Sequence, residues 1–235
     1  MSMDNDFVIN GFQKMTLLDY PEKVACTVFL AGCNFRCPFC HNASLVVGGG
    51  HERYSADEVL SYLSGRKGLI DGVCITGGEP LLRSEIEEFI RDIKGLGFLV
   101  KLDTNGSRPD KLKNLVKNNL IDYVAMDIKN SLDKYSLTAG VENFNIACIE
   151  ESIDFLIGGV LDFEFRTTVV KELHTEEDIL KIAERIKGAK KYYLQNFVDS
   201  GDLLSSNLHA HKKETLEKMR ELALPYVETV EIRGI

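Results

Sequence analysis

The segment VACTVFLAGCNFRCPFCHN, residues 24–42, places three cysteines directly after a run of apolar residues. The run from Val24 to Leu30 predicts a buried β-strand. The loop that follows it carries Cys33, Cys37 and Cys40 within eight residues. In parallel α/β folds the working groups lie at the carboxyl ends of the strands. Three thiols directly after a predicted strand are therefore typical of a parallel α/β fold.

Five more apolar runs predict buried strands further along the chain. They cover Gly72 to Thr76, Phe98 to Asp103, Tyr123 to Ile128, Phe163 to Val170 and Tyr192 to Phe197. The segments between the runs have helical spacing, and three begin with capping signals: Ser55 with Glu58, Ser84 with Glu87, and Thr175 with Asp178. This alternation indicates right-handed β-α-β units and a parallel sheet, either open and doubly wound or curled into a barrel.

Polar residues also follow the second, third and fourth predicted strands. They form the groups Gly77-Gly78-Glu79-Pro80, Asp103-Thr104-Asn105-Gly106 and Asp127-Ile128-Lys129. Glycines after a strand permit a positive φ and a close approach of the backbone to a ligand, and Asn-Gly is a strong turn dipeptide. Because the carboxyl ends of parallel strands share one edge, we expect these groups and the cysteines on the same rim.

The composition limits the fold and the partners. A chain of 235 residues with 44% hydrophobic content suits one α/β domain, which we divide into an N-terminal extension (1–23), a core (24–200) and a C-terminal helix and strand (201–235). The net charge of -8 offers no sequence-wide basic field to nucleic acid. No apolar run approaches the roughly 20 residues of a membrane helix, and Met1 to Asn10 is too short and acidic for a signal peptide. We therefore expect a cytoplasmic protein.

The clustered cysteines indicate a metal or redox centre, because disulfides are unusual in a mid-sized cytosolic chain. Thiolates are the ligands of iron-sulfur clusters, and three local ones would leave one iron of a four-iron cluster open to a substrate. A Cys3His zinc site that uses His41 is the alternative, although the adjacency of Cys40 and His41 makes a tetrahedral arrangement awkward. The remaining cysteines and histidines are assigned no chemistry: Cys26, Cys74, Cys148, His51, His174, His209 and His211.

The spacing C-x3-C-x-aromatic-C, with Phe39 as the aromatic residue, resembles the motif of the radical S-adenosylmethionine (SAM) superfamily. This resemblance implies a partial (β/α)6 TIM-like barrel and a 4Fe-4S cluster on Cys33, Cys37 and Cys40. It further implies that the amino and carboxylate groups of SAM chelate the fourth iron. One electron from the reduced cluster then breaks a carbon-sulfur bond of SAM and yields a 5'-deoxyadenosyl radical.

The same resemblance implies which residues contact SAM. Gly77, Gly78 and Glu79 resemble a GGE segment whose strand edge and glutamate receive the SAM amino group. Phe39, His41 and Asn42 are implied to lie near the adenine and the cluster.

Asp103, Thr104 and the segment 126–129 with Asp127 are similar to segments that surround SAM and a monovalent cation in the pyruvate formate-lyase activating enzyme. Lys129 is the candidate partner of the SAM carboxylate. Arg166 could pair with a carboxylate, with the ribose or with Glu164. The segment Gln195-Asn196-Phe197 at the end of the sixth strand could line the substrate side.

The segments 11–21 and 24–42 resemble the start of the activating proteins of anaerobic ribonucleoside-triphosphate reductase, although Glu22 stands where that family suggests glycine. The chain has no further cysteine group between Asn42 and the second strand, which favours a single-cluster enzyme. The implied reaction removes a Cα hydrogen from a glycine of a partner enzyme, with a flavodoxin-type protein as electron donor. The alternatives are activation of pyruvate formate-lyase, a small-molecule substrate, or a non-catalytic iron-sulfur or zinc protein.

Overall fold

The computed structural model describes residues 7–47 and 52–235. Residues 1–6, which belong to the segment judged too short and acidic for a signal peptide, and His51 lie outside the described residues. The chain forms two compact units. Unit 1 comprises Met1–Asn34, Ser44–Thr104 and Asp110–Val124, and unit 2 comprises Phe35–Ala43, Asn105–Pro109 and Ala125–Ile235.

The described elements alternate between strand and helix over most of the chain. The strands are β1 (Val8–Ile9), β2 (Gly11–Thr16), β3 (Ala25–Leu30), β4 (Tyr54–Ser55), β5 (Gly72–Gly77), β6 (Leu99–Thr104), β7 (Tyr123–Asp127), β8 (Asp162–Val169), β9 (Lys191–Asn196) and β10 (Thr229–Arg233). The helices are α1 (Ala43–Val47), α2 (Ala56–Ser64), α3 (Ile86–Gly95), α4 (Pro109–Lys117), α5 (Tyr135–Ala139), α6 (Ala147–Ile157), α7 (Glu176–Arg185) and α8 (Lys213–Ala223). All six predicted strands are confirmed, each to within one residue at either end.

Unit 1 is built on the parallel strands β3, β5 and β6, with β2 antiparallel to β3. Their register aligns Val28 with Ile75 and Leu102 on one face, and all three side chains are fully buried. Because side chains alternate along a strand, the opposite face carries the row Thr27, Cys74 and Lys101. Unit 1 therefore has an apolar sheet face and a face with buried polar groups.

Unit 2 contains the parallel strands β8, β9 and β10. Helix α7 begins with a complete capping box, in which the Thr175 hydroxyl accepts from the Asp178 N–H and the Asp178 carboxylate accepts from the Thr175 N–H. The box predicted at Ser55 and Glu58 is likewise present at the start of α2, in unit 1. The alternation of strands and helices and the mostly parallel pairing confirm the predicted α/β class.

Two details of the sequence prediction differ from the structure. The cap predicted at Ser84 and Glu87 is wrong: α3 begins at Ile86 after Glu85, and the Ser84 hydroxyl donates to the Glu85 carboxylate instead. The extension 1–23 contains strands β1 and β2, which the apolar pattern did not reveal. The division of the chain into extension, core and C-terminal part stays a prediction. Among the described residues, no helix is long and apolar enough to cross a membrane.

Candidate cofactor site

In unit 1 the Gly77-Gly78-Glu79 segment packs against the backbone that leads into the cysteine loop. The Gly78 N–H donates to the Leu30 carbonyl and the Glu79 N–H donates to the Gly32 carbonyl, both over 2.8 Å. A Cβ atom on Gly78 would lie 2.7 Å from the carbonyl carbon of Gly32 and would overlap its oxygen. Gly77 has a φ of +116°. Both positions therefore require glycine, because the chain approaches too closely for a side chain.

The Glu79 carboxylate is held firmly inside unit 1. Glu79 is 1% exposed, and its Oε1 accepts hydrogen bonds from the Leu81 N–H at 3.1 Å and the Thr104 hydroxyl at 2.9 Å. Thr104 is itself buried at the end of β6. The structure thus joins two of the predicted site residues, Glu79 and Thr104, while Gly77 and Gly78 stay half-buried at the strand edge.

Asp103 pairs with a cation that the sequence analysis did not single out. The Lys101 ammonium forms an ion pair with the Asp103 carboxylate, and Lys101 is only 2% exposed. The Cys74 sulfur lies 3.8 Å from both the Lys101 Nζ and the Asp103 Oδ1. Cys74 is fully buried, and its sulfur contacts this ion pair.

The second half of the cysteine loop is anchored within unit 2. The Cys40 N–H donates to the Cys37 carbonyl at 3.0 Å, which closes a tight turn, and the Arg36 N–H donates to the Ala139 carbonyl at 2.8 Å. The Cys37 sulfur lies 3.8 Å from the same Ala139 carbonyl. Cys37 is buried and Cys40 is half-buried. Cys33, which belongs to unit 1, is also half-buried.

The donor set fits an iron-sulfur cluster by its chemistry. As the side chains stand, no three His, Cys, Asp or Glu residues in the described ranges are grouped closely enough to hold a metal ion. The fit therefore rests on three thiols within one short loop and on a nearby cation. Burial alone would lower the pKa of Lys129, but the negative charges of Asp127 and then of a Cys37 thiolate contribute to raising it above its ordinary value. A neighbouring ammonium favours the thiolate form that iron requires.

Phe39 and His41 flank this turn with aromatic rings. Phe39 is 3% exposed, and its ring meets the ring of His174 edge-on with centroids 6.2 Å apart. His41 is exposed on one side and stacks on Phe197 with centroids 5.8 Å apart. Partial loss of water contact lowers the pKa of His41, and the Lys129 ammonium lowers it further. Asn42 is half-buried in the turn before α1.

Asp127, Lys129 and Arg166 form one charged cluster in unit 2. The Asp127 carboxylate accepts from the Arg166 Nε at 2.9 Å and from the Lys129 Nζ at 3.2 Å. Burial alone would raise the pKa of Asp127, but the two positive charges outweigh it and hold the pKa at about 2. Asp127 is thus a carboxylate partner of Arg166, and the Glu164 carboxylate pairs with Arg233 at 3.4 Å.

His174 is a site residue that the sequence analysis missed. Its ring is 1% exposed, and its Nδ1 accepts from the Val170 N–H at 3.1 Å. The Nε2 must then carry the proton and donate to the Lys129 carbonyl, 2.8 Å away. Burial lowers the pKa of His174, so the ring is neutral. His174 thus holds the backbone of Lys129 and touches Phe39, but no local sequence signal marks either contact.

Comparisons with known proteins show the family. Residues 27–156 match the family model described as Radical SAM superfamily. A protein of Methanocaldococcus jannaschii that carries the name glycyl-radical enzyme activating enzyme is 35% identical over 97% of this chain and 96% of its own. The pyruvate formate-lyase-activating enzyme of Clostridium pasteurianum is 32% identical over 52% of each chain.

A solved structure agrees on the fold. The structure of SuiB from Streptococcus suis bound to S-adenosylmethionine superposes with a TM-score of 0.69 at 13% identity. The match covers 88% of this chain and 52% of SuiB, so the chain spans about half the length of that protein.

Proposed function

The chain belongs to the radical SAM superfamily, and from this premise we propose that it is a glycyl radical enzyme activase. Its proposed reaction is the removal of a glycine Cα hydrogen from a partner enzyme. The observation that carries the proposal is the 35% identity, over almost the whole of both chains, to a protein named as such an activating enzyme. Anaerobic ribonucleotide reductase is the partner that we propose first and pyruvate formate-lyase the second.

The family implies a 4Fe-4S cluster and SAM, and the proposed ligands of the cluster are Cys33, Cys37 and Cys40. When bound, the reduced cluster supplies the electron that cleaves SAM to a 5'-deoxyadenosyl radical. The protein has to hold the reactive carbon against the target hydrogen and to exclude competing groups.

In unit 1 the proposed contacts with the SAM amino group are the strand edge at Gly77 and Gly78 and the carboxylate of Glu79. The close packing of both glycines on residues 30–32 fixes this edge directly beside the start of the cysteine loop. The bond from Thr104 to Glu79 holds the carboxylate in one orientation. Rigid backbone of this kind supports precise placement of a cofactor.

In unit 2 the proposed contact with the SAM carboxylate is Lys129, with Arg166 as a second cation. Both side chains pair with Asp127, which fixes the positions of their charged groups. The SAM carboxylate would therefore share these two cations with Asp127. Phe39, His41 and Asn42 are proposed to face the adenine, and Phe39 is supported from behind by His174. The neutral state of His174 keeps a further positive charge away from Lys129.

The remaining parts of the proposal concern the surroundings of the enzyme. We propose a cytoplasmic location and a flavodoxin-type electron donor, as the resemblance implies. The proposal does not include the monovalent cation. The resemblance connects this cation with the carboxylates of Asp103 and Asp127, and both already pair with cationic side chains.

The test is anaerobic reconstitution of the cluster, followed by addition of SAM, a chemical reductant and each candidate partner. A glycyl doublet in the electron paramagnetic resonance spectrum of one partner, together with 5'-deoxyadenosine, is the expected result. Silence of every glycyl radical enzyme with turnover of a small metabolite would contradict the activase. Failure to form any 5'-deoxyadenosine would instead favour a non-catalytic iron-sulfur protein.

Two cysteine variants control this experiment. Cys37→Ala removes a proposed ligand, and we expect it to lose the cluster and all 5'-deoxyadenosine formation. Cys148→Ala removes a half-buried thiol just inside α6, outside the loop, and should retain both. Equal iron content in the two variants would contradict the ligand assignment.

A further inference from the structure

Lys101 is a buried ammonium in the middle of β6. It is 2% exposed, and the strand register places it in one row with Thr27 and Cys74. Asp103 follows two residues later on the same face, because side chains alternate along a strand. The ion pair between Lys101 and Asp103 is therefore a direct product of the strand geometry.

Separating the two charges of this ion pair would cost free energy. A buried ammonium without a counter-charge is strongly unfavourable, and removing one partner of a buried pair leaves the other uncompensated. The weakly polar Cys74 sulfur also lies 3.8 Å from the ammonium. If Asp103 turned its charge toward a bound metal ion, Lys101 would face that ion across the same carboxylate. Like charges so close would repel each other.

The second carboxylate, Asp127, is also occupied. Its Oδ1 lies 2.9 Å from the Arg166 Nε and its Oδ2 lies 3.2 Å from the Lys129 Nζ. Each carboxylate oxygen thus has a cation of its own within unit 2. The residues that the family resemblance connects with a monovalent cation therefore do not fit one in this chain.

We propose that Lys101 is a built-in replacement for the monovalent cation. Its ammonium supplies beside Asp103 the positive charge that a bound ion would provide, so the protein binds SAM without sodium or potassium. This inference rests on the SAM site of the proposed function, and it concerns the monovalent cation that the family resemblance connects with that site.

The test measures SAM binding by calorimetry on the reconstituted protein in sodium, potassium or tetramethylammonium chloride at equal ionic strength. Tetramethylammonium is too large to occupy a carboxylate cage. For the wild-type protein we expect dissociation constants within twofold of one another in the three salts. For Lys101→Met, which keeps the length but not the charge, we expect SAM binding at least tenfold tighter in sodium or potassium than in tetramethylammonium.

Three further variants separate charge from structure. Lys101→Arg keeps the positive charge and should stay independent of the salt. The double variant Lys101→Met with Asp103→Asn removes both charges and should lose the dependence that Lys101→Met acquires. Lys94→Met breaks an ion pair of the same type in unit 1, where the Lys94 Nζ lies 2.7 Å from Asp122, and should show no salt dependence.

Thermal unfolding of the cluster-free proteins in the same salts supplies a readout that does not need SAM. The melting temperature of Lys101→Met should rise in sodium or potassium relative to tetramethylammonium, while that of the wild type should not change. A wild-type protein that binds SAM tenfold more tightly in potassium or sodium would overturn the inference, as would a folded Lys101→Met that responds to no salt. Absence of SAM binding in every salt would refute the proposed function, and the melting temperatures would still decide the role of Lys101.

Discussion

Replacement of Gly78 by alanine tests whether the strand edge and the cysteine loop form one rigid unit. The new Cβ would lie 2.7 Å from the carbonyl carbon of Gly32, whereas non-bonded carbons normally stay about 3.5–4.0 Å apart. The two backbones must therefore separate by close to an ångström. That movement stretches the two 2.8 Å hydrogen bonds that join residues 78 and 79 to residues 30 and 32 beyond useful length.

The cost follows from these two effects. Overpacking of a tight site costs about 1–3 kcal/mol, and each lost hydrogen bond costs about 0.5–1.5 kcal/mol. The sum is about 2–6 kcal/mol, a large part of the roughly 5–15 kcal/mol that keeps a domain folded. For a chain of this size, 1 kcal/mol lowers the melting temperature by roughly 2–4 °C, so we expect Gly78→Ala to melt roughly 5–20 °C below the wild type.

The assay is thermal unfolding followed by circular dichroism, with iron content after reconstitution as a second readout. Gly95→Ala is the matched control, because a Cβ on Gly95 meets nothing within 4 Å and the residue ends helix α3. Alanine there should raise stability slightly, by up to about 1 kcal/mol. A Gly78→Ala protein that melts within 2 °C of the wild type and loads iron normally would refute the close approach.

Three further predictions follow from individual contacts. His174→Gln should remove a pH-dependent part of the free energy of unfolding. Because the buried ring has a lowered pKa, its contribution is present above the unfolded pKa of about 6.5 and is lost as the pH falls. Urea titrations at pH 5 and 8 should therefore differ less in the variant than in the wild type. Asp127 has a pKa of about 2, so it contributes stability above its unfolded pKa of about 3.9, and this contribution is lost as the pH falls toward 2. In acid-unfolding curves, Asp127→Asn should reduce the pH-dependent loss of unfolding free energy by roughly 1–3 kcal/mol. Thr175→Ala should cost about 0.5–2 kcal/mol in urea unfolding because it breaks a capping box, whereas Ser84→Ala, at a serine that caps no helix, should change stability by less than about 0.5 kcal/mol.

The central strands could be predicted because their signal is local. Runs such as Tyr123–Asp127 are buried at almost every position, so composition alone marks them. Strand β2, with sequence GFQKMT, was missed because three of its six residues are exposed. It pairs antiparallel with β3 but has no apolar run of its own. The cap at Ser84 failed for a different reason: Glu85 captures the serine hydroxyl, and the competition between two adjacent polar residues is invisible in a spacing rule.

The cysteine loop could likewise be predicted, because its three thiols lie within eight residues. The partners of Arg166 and His174 could not, since Asp127 and the Lys129 carbonyl lie 39 and 45 residues away in sequence. Metal-ligand spacing was the only test applied to His174. It does not reveal that the two ring nitrogens bond to Lys129, after β7, and to Val170, after β8. Contacts of this range depend on how the strands are ordered, which a single sequence does not encode in any short pattern.

Lys101 lies between these two cases. Its neighbours Val100 and Leu102 mark a buried strand, and a lysine inside such a strand, two residues before an aspartate, already places both charges on one face. The sequence alone leaves open whether that face is wet, in which case the pair would contribute little. The register settles the matter, because it sets Cys74, which is fully buried, beside Lys101. The ammonium end of the pair is therefore buried, whereas the Asp103 side chain is 14% exposed. Because a buried ammonium needs its counter-charge, we expect Asp103 to stay paired with Lys101 rather than to bind an ion from solution.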